Sequence, residues 1–170
     1  MSERPETDTS TGPGSMTVVR ASERELVITR TFDAPARIVW AAWTQPALFQ
    51  RWWVPRSMGM TLRSCELDVR TGGGYRLVFE NPGGPPLAFF GTYVEVAPPT
   101  RLVWTNDEAG EAGQVTTVTL EERDGRTRLV MRELYPSKAA LDEAGTGAAE
   151  GLREPFAQLA ELLATEPGLG

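Results

Sequence analysis

The chain predicts an α+β domain: a curved antiparallel sheet of about six to seven strands, in the order β-α-α-β(5–6)-α, closed around a long C-terminal helix with room for an internal cavity. Three observations carry this. Several β-like runs follow one another across turns too short for parallel crossovers. Two short helical patterns, each headed by a proline, hold four of the five tryptophans within Phe32–Pro55. The hydrophobic period changes from two to that of a helix only near the end.

Residues 1–22 are rich in Ser, Thr, Pro, Gly and Glu and read as a disordered tail, residues 23–165 as one domain and residues 166–170 as a short C-terminal tail. From Glu25, Leu26, Ile28 and Phe32 fall on one side of a strand with Arg30 between them. Pro35 suits a first helical turn, because its missing N–H has no partner there. Ala36, Val39, Trp40 and Trp43 then recur at helical spacing, Pro46 restarts the pattern through Leu48, Phe49 and Trp52, and Pro55 ends it.

Thr61–Val69 alternates weakly, and Gly72–Gly74 turns it into a strand whose Tyr75, Leu77 and Phe79 share a face. The three glycines join strand to strand with no helix following, so they form a turn and not a phosphate loop. The loop Asn81–Pro86 leads to a strand over Ala88–Val96, Ala97–Thr100 turns it, and Arg101–Thr105 pairs back. Asn106–Gly113 is a polar loop, and Asp124-Gly125 is a two-residue hairpin signal between Val115–Arg123 and Thr127–Leu134. Ser137 caps a short helix to about Glu143; Leu152, Phe156, Leu159 and Leu163 mark one face of the last helix.

Composition narrows the chemistry. The chain contains no histidine, which removes the commonest general base near neutral pH and the commonest transition-metal ligand. A formal charge of −6 argues against nucleic acid as a partner. No apolar run is long enough for a membrane span or a secretory signal, and the single cysteine, Cys65, fits a reducing cytoplasm. Cys65 itself reads as a small buried filler, and Glu121–Asp124 as a solvated hairpin end.

The elements FDAP (Phe32–Pro35), VWAAWTQP (Val39–Pro46), RWWVP (Arg51–Pro55), ELDVRTGGGYR (Glu66–Arg76) and FGTYVEVAPPTRLVWT (Phe90–Thr105), with an ending EG…LAELLA (Glu150–Ala164), stand in series. In this the chain resembles the bacterial relatives of the activator of heat-shock protein 90 ATPase, in the START-like (SRPBCC) superfamily. The resemblance implies a helix-grip fold, and its superfamily holds hydrophobic-ligand carriers, polyketide cyclases and cochaperone modules. One departure stands out. The family's last helix runs unbroken, but Pro155 predicts a kink or restart near Leu152–Pro155.

Large aromatics at helical spacing are mostly core, which assigns Trp40 to the interior; Trp43 and Trp53 lie nearer the helix ends and are better placed to face a cavity. Arg63, Glu66, Arg76, Tyr93, Arg132 and Glu133 interrupt apolar alternation. They belong on the solvent face unless a partner or ligand meets them inside. The expected function is non-catalytic binding of a small hydrophobic molecule, lipid-like, polyketide-like or aromatic, between the sheet and the C-terminal helix. The candidate contacts are Trp43, Trp53, Arg63, Phe79, Tyr93, Trp104, Met131, Leu152 and Phe156, with no catalytic residue, metal or cofactor. The alternatives are a cyclase or aromatase using Arg, Tyr and Glu groups, and a chaperone-regulating interaction module in a stress response.

Overall fold

The computed structural model describes residues 16–107 and 113–165, so most of the polar loop, most of the N-terminal tail and all of the C-terminal tail lie outside the described residues. Eight strands form one antiparallel sheet: β1 (Met16–Arg20), β2 (Glu25–Phe32), β3 (Leu62–Leu67), β4 (Gly74–Phe79), β5 (Leu87–Ala97), β6 (Arg101–Thr105), β7 (Val115–Arg123) and β8 (Arg126–Leu134). Their spatial order is β1-β2-β8-β7-β6-β5-β4-β3. The meander from β3 to β8 is therefore extended by an N-terminal hairpin that docks on the last strand.

The sheet holds one more strand than expected. Composition predicts a tail through residue 22, but Met16–Arg20 pair with β2 from Met16↔Arg30 to Arg20↔Leu26. The strand MTVVR, with Met16 buried in the core, is only five residues long and is flanked by polar stretches, so regional composition conceals it. Arg153 fastens it from the other end of the chain, donating Nη1 to the Met16 carbonyl at 2.9 Å.

Alternation decides which face is core. Leu26, Ile28 and Phe32 of β2 point inward, as do Val118 and Leu120 of β7 and Leu129 and Met131 of β8. Asp124 and Gly125 both have positive φ, 56° and 77°, the backbone that a tight two-residue hairpin between right-twisted strands requires.

Helices α1 (Ala36–Thr44) and α2 (Pro46–Trp52), a 3₁₀ turn at Arg56–Met58, and the C-terminal α3 (Lys138–Ala144), α4 (Gly147–Glu150) and α5 (Arg153–Thr165) complete the fold. Pro46 is in the first turn of α2, and the Ser137 hydroxyl accepts from Ala140 N–H at the start of α3. The charged hairpin end is more than solvated: Glu122 Oε1 accepts the Ala36 N–H at 3.0 Å. That places a carboxylate at the N-terminus of α1, where exposed N–H groups and the helix dipole favour negative charge.

The last helix is interrupted at the expected place. Hydrogen bonding tightens at Leu152, whose N–H donates to the Ala149 carbonyl three residues back, and resumes with Phe156 N–H to Leu152 O at 2.9 Å. Pro155 is thus the third residue of α5, inside the first turn, where it breaks no helical hydrogen bond. Pro155→Ala is accordingly expected to leave stability unchanged or lower it by up to about 1 kcal/mol. Urea unfolding reads this; a gain near the ~3 kcal/mol cost of a mid-helix proline would show strain.

Candidate ligand-binding cavity

The tryptophan-rich segment lies on the concave face of the sheet, centred on Trp43. Its ring centroid is 4.9 Å from that of Trp52, 5.8 Å from Trp104 and 6.0 Å from Trp53, mostly in edge-to-face or tilted geometries that suit aromatic quadrupoles. Trp52 is the fully enclosed member, its Nε1 donating to the Ala42 carbonyl at 2.9 Å. Trp40, expected in the interior, is only half-buried, because the buried side of α1 runs through Ile38, Val39, Ala42 and Trp43.

α5 fastens this segment through one face. Gln158 is buried and donates Nε2 to the carbonyls of Trp52 (3.0 Å) and Val54 (2.9 Å), while its Oε1 accepts the Arg56 N–H at 2.9 Å. One turn earlier Glu154 accepts from both the backbone N–H and the hydroxyl of Ser57, at 3.0 and 2.5 Å. One turn later Glu161 pairs with Arg56 at 3.0 Å. These hydrogen bonds from Ser57 hold the Glu154 carboxyl below its ordinary range.

Phe156 reaches from α5 to Phe32, Trp43 and Trp52 with ring centroids 5.9–6.3 Å away. The helices therefore cover the β2, β8 and β7 side of the concave face, and the β3–β6 side is left to a cavity of about 210 Å³. Trp43, Phe49 and Trp53 form its helical wall; Leu67, Tyr75, Leu77, Phe79, Phe89, Tyr93, Leu102, Trp104 and Asn106 line the rest. Phe89, 41 % exposed, marks its solvent side.

Of the residues expected at a ligand site, Trp43, Trp53, Phe79, Tyr93 and Trp104 are brought together here. Four are elsewhere. Arg63 is exposed and faces Glu80 at 3.6 Å. Met131 and Phe156 are wholly spent on the core, and Leu152 packs against its edge. The cavity is thus between the sheet and α1–α2, and not against the C-terminal helix as expected, because Phe156 fills the space there. Tyr75 and Leu77 share the inward alternation of Phe79 and were legible as its companions; Phe49, Leu67, Phe89, Leu102 and Asn106 carry no comparable signal.

The lining comprises eight aromatic residues, three leucines and one asparagine, with no charged side chain. Burial pushes the Tyr93 hydroxyl well above the ordinary tyrosine value, with smaller contributions from Cys65 and Asp68, so it stays protonated. Burial likewise pushes the neighbouring Cys65 thiol up to about 11, which makes it a poor nucleophile at neutral pH. Tyr75 donates its hydroxyl toward Thr105 O (2.8 Å) and Asn106 Oδ1 (3.0 Å). Trp43 Nε1 is buried with no acceptor among the described residues.

Of the six polar residues interrupting the strands, Arg63, Glu66, Arg76 and Arg132 are exposed, and Tyr93 and Glu133 point inward. Glu133 lies outside the cavity lining. Its Oε1 accepts from the Thr116 hydroxyl at 2.6 Å and from the Gln114 amide, yet burial outweighs both and raises its carboxyl above the ordinary range. No group of His, Cys, Asp or Glu among the described residues is arranged to hold a metal ion. No helix among them is long and apolar enough to cross a membrane.

Three comparisons bear on this architecture. The family model described as "Activator of Hsp90 ATPase homolog 1-like protein" matches residues 33–164. A crystal structure from Rhodobacter sphaeroides is similar at TM-score 0.79 and 28 % identity, covering 89 % of this chain and 99 % of that one. Proteins from Nitrosomonas europaea (0.76, 26 %, covering 88 % and 99 %) and Mycobacterium smegmatis (0.75, 26 %, covering 89 % and 99 %) share the same fold. No curated protein matches the sequence.

Two variants test the packing. Gln158→Leu leaves two carbonyls and one N–H without their partner and is expected to cost about 2–3 kcal/mol in urea unfolding. Gln158→Glu, which sets carboxylate oxygens against the two carbonyls, is expected to cost at least as much. For Glu133 the folded-state pKa is raised, so its contribution to stability is complete below the unfolded carboxyl value, about 4.3, and is lost as pH rises through the folded value. Glu133→Gln keeps an oxygen acceptor for Thr116 and Gln114. Its Tm is therefore expected to match the parent near pH 4 and to exceed it by a few degrees at pH 8, as read by calorimetry.

Proposed function

Because the chain belongs to the Activator of Hsp90 ATPase homolog 1-like family, within the START-like superfamily, we propose that it is a non-catalytic module that binds a small hydrophobic molecule between α1–α2 and the β3–β6 side of its sheet. The observation that carries this reading is the uncharged, mainly aromatic lining of the cavity. Apolar surface removed from water supplies affinity at about 25 cal/mol per Å², before the costs of association. At about 210 Å³ the cavity is smaller than the ~300–1,000 Å³ usual for drug-sized ligands, which favours a compact ring system over a long acyl chain.

Cyclase-type chemistry is less well supported. It needs a group that gives or takes a proton near neutral pH, whereas the lining offers no carboxylate and a Tyr93 hydroxyl held protonated. The sole cysteine and the absence of a membrane-spanning helix among the described residues fit a cytoplasmic protein.

One observation favours a protein-interaction module as a second reading: Leu87, Phe89, Phe90 and Val94 of β5 are all exposed. A purified bacterial heat-shock protein 90 provides the direct assay. A changed ATPase rate on adding this chain supports that reading, and an unchanged rate removes it.

Tryptophan fluorescence reads cavity occupancy directly, since Trp43, Trp53 and Trp104 line it. Titration with flavonoids, polyketide-like aromatics and fatty acids is expected to give saturable changes with the compact aromatics. Leu67→Phe combined with Leu102→Phe fills the space and is expected to weaken calorimetric binding by about tenfold or more while preserving Tm to within a few degrees. No saturable binding by any compound removes the proposal.

A further inference from the structure

The hydrogen-bonding groups of the cavity are unequally matched. Tyr93 lines the cavity, and burial keeps its hydroxyl protonated, so this side chain brings a hydrogen to the site. Trp43, in the adjoining wall, adds an indole N–H without an acceptor among the described residues. The one side-chain amide of the lining, Asn106, already has its oxygen engaged by Tyr75. The buried polar atom of the lining that lacks a partner among the described residues is thus a donor, the Trp43 indole N–H, and the protonated Tyr93 hydroxyl adds a second hydrogen. A buried donor left without an acceptor loses the solvation it had in water, and a ligand atom with lone pairs restores it.

Charge narrows the ligand further. With no arginine or lysine in the lining, a carboxylate or phosphate ligand loses its hydration and gains no ion pair. A cation likewise finds no carboxylate. From these donors, the uncharged lining and the aromatic walls together, we infer that the ligand is a neutral, flat molecule of one or two rings carrying a carbonyl-type acceptor that takes the Tyr93 hydroxyl hydrogen. Trp43 supplies the second donor beside it. This rests on the cavity being the ligand site.

Three probes of similar size separate the contributions: α-tetralone, with one ketone; tetralin, its hydrocarbon counterpart; and α-naphthoate, an anion. Calorimetric titration is expected to show α-tetralone binding about threefold to tenfold more tightly than tetralin, the range one neutral hydrogen bond provides, with α-naphthoate the weakest. Tyr93→Phe retains the ring and removes only the hydroxyl. It is expected to lower α-tetralone affinity toward that of tetralin, the Trp43 N–H retaining the remainder, and to leave tetralin unchanged. Equal binding of α-tetralone and tetralin by the unmodified chain, or tightest binding by α-naphthoate, overturns the donor assignment while leaving the cavity a hydrophobic site. Failure of all three probes to bind overturns the ligand-site reading as well. The comparison of probes on the unmodified protein decides the matter even where Tyr93→Phe folds poorly.

Discussion

A single buried amide sets the geometry on which the concave face depends. Gln158 uses both its hydrogens and its oxygen on the backbone of Trp52, Val54 and Arg56. Those backbone groups follow α2, where the chain leaves a helix and its polar atoms have no regular partners. A buried carbonyl or N–H without a partner is costly, so this exit is stable only while α5 stands beside it. Glu154 and Glu161, one turn to either side, extend the same contact to Ser57 and the Arg56 side chain. Since α2 carries Phe49 and leads directly into Trp53, the C-terminal helix positions the cavity wall without lining the cavity.

The break before α5 belongs to the same arrangement. Had the helix run on unbroken from Gly147, Pro155 would have removed a hydrogen bond and clashed with the preceding turn. Restarting at Arg153 puts the proline where no bond is required. Phe156, the next residue, closes over Phe32, Trp43 and Trp52. One half of the concave face is consequently solid core, and the open volume is displaced toward β3–β6.

Local pattern made the element order, the Asp124-Gly125 hairpin and the break at Pro155 legible, because each follows from backbone preferences within a few residues. Period-two alternation likewise set Phe79 on one face with Tyr75 and Leu77, which proves to be the concave face. Which part of that face the helices cover is a long-range property, and there sequence reasoning failed. Met131 and Phe156 have the composition of a ligand wall but lie beneath covered sheet, while Leu102 and Phe89 lie beside the space left open. Arg63 went wrong for a different reason: an edge strand lets a charged side chain turn to Glu80 and water. Met16–Arg20 was hidden because five β-forming residues stand between polar stretches that dominate the composition of the N-terminus. Glu122 was hidden because its partner, the start of α1, lies 86 residues away in sequence.

The position of β2 between β1 and β8 also governs the order in which the chain can fold. Every neighbouring pair from β3 to β8 is joined by a turn or loop, so that meander closes through contacts near in sequence. β2 must instead wait for β8, with Glu25 meeting Leu134 and Phe32 meeting Thr127. Closing so long a loop costs entropy before any contact rewards it, and such pairings slow folding. During synthesis from the N-terminus, β1, β2 and both tryptophan-rich helices emerge before the strand and the helix that will cover them. Their apolar surface is exposed throughout that interval, so the nascent chain is most vulnerable to association just before its last third leaves the ribosome.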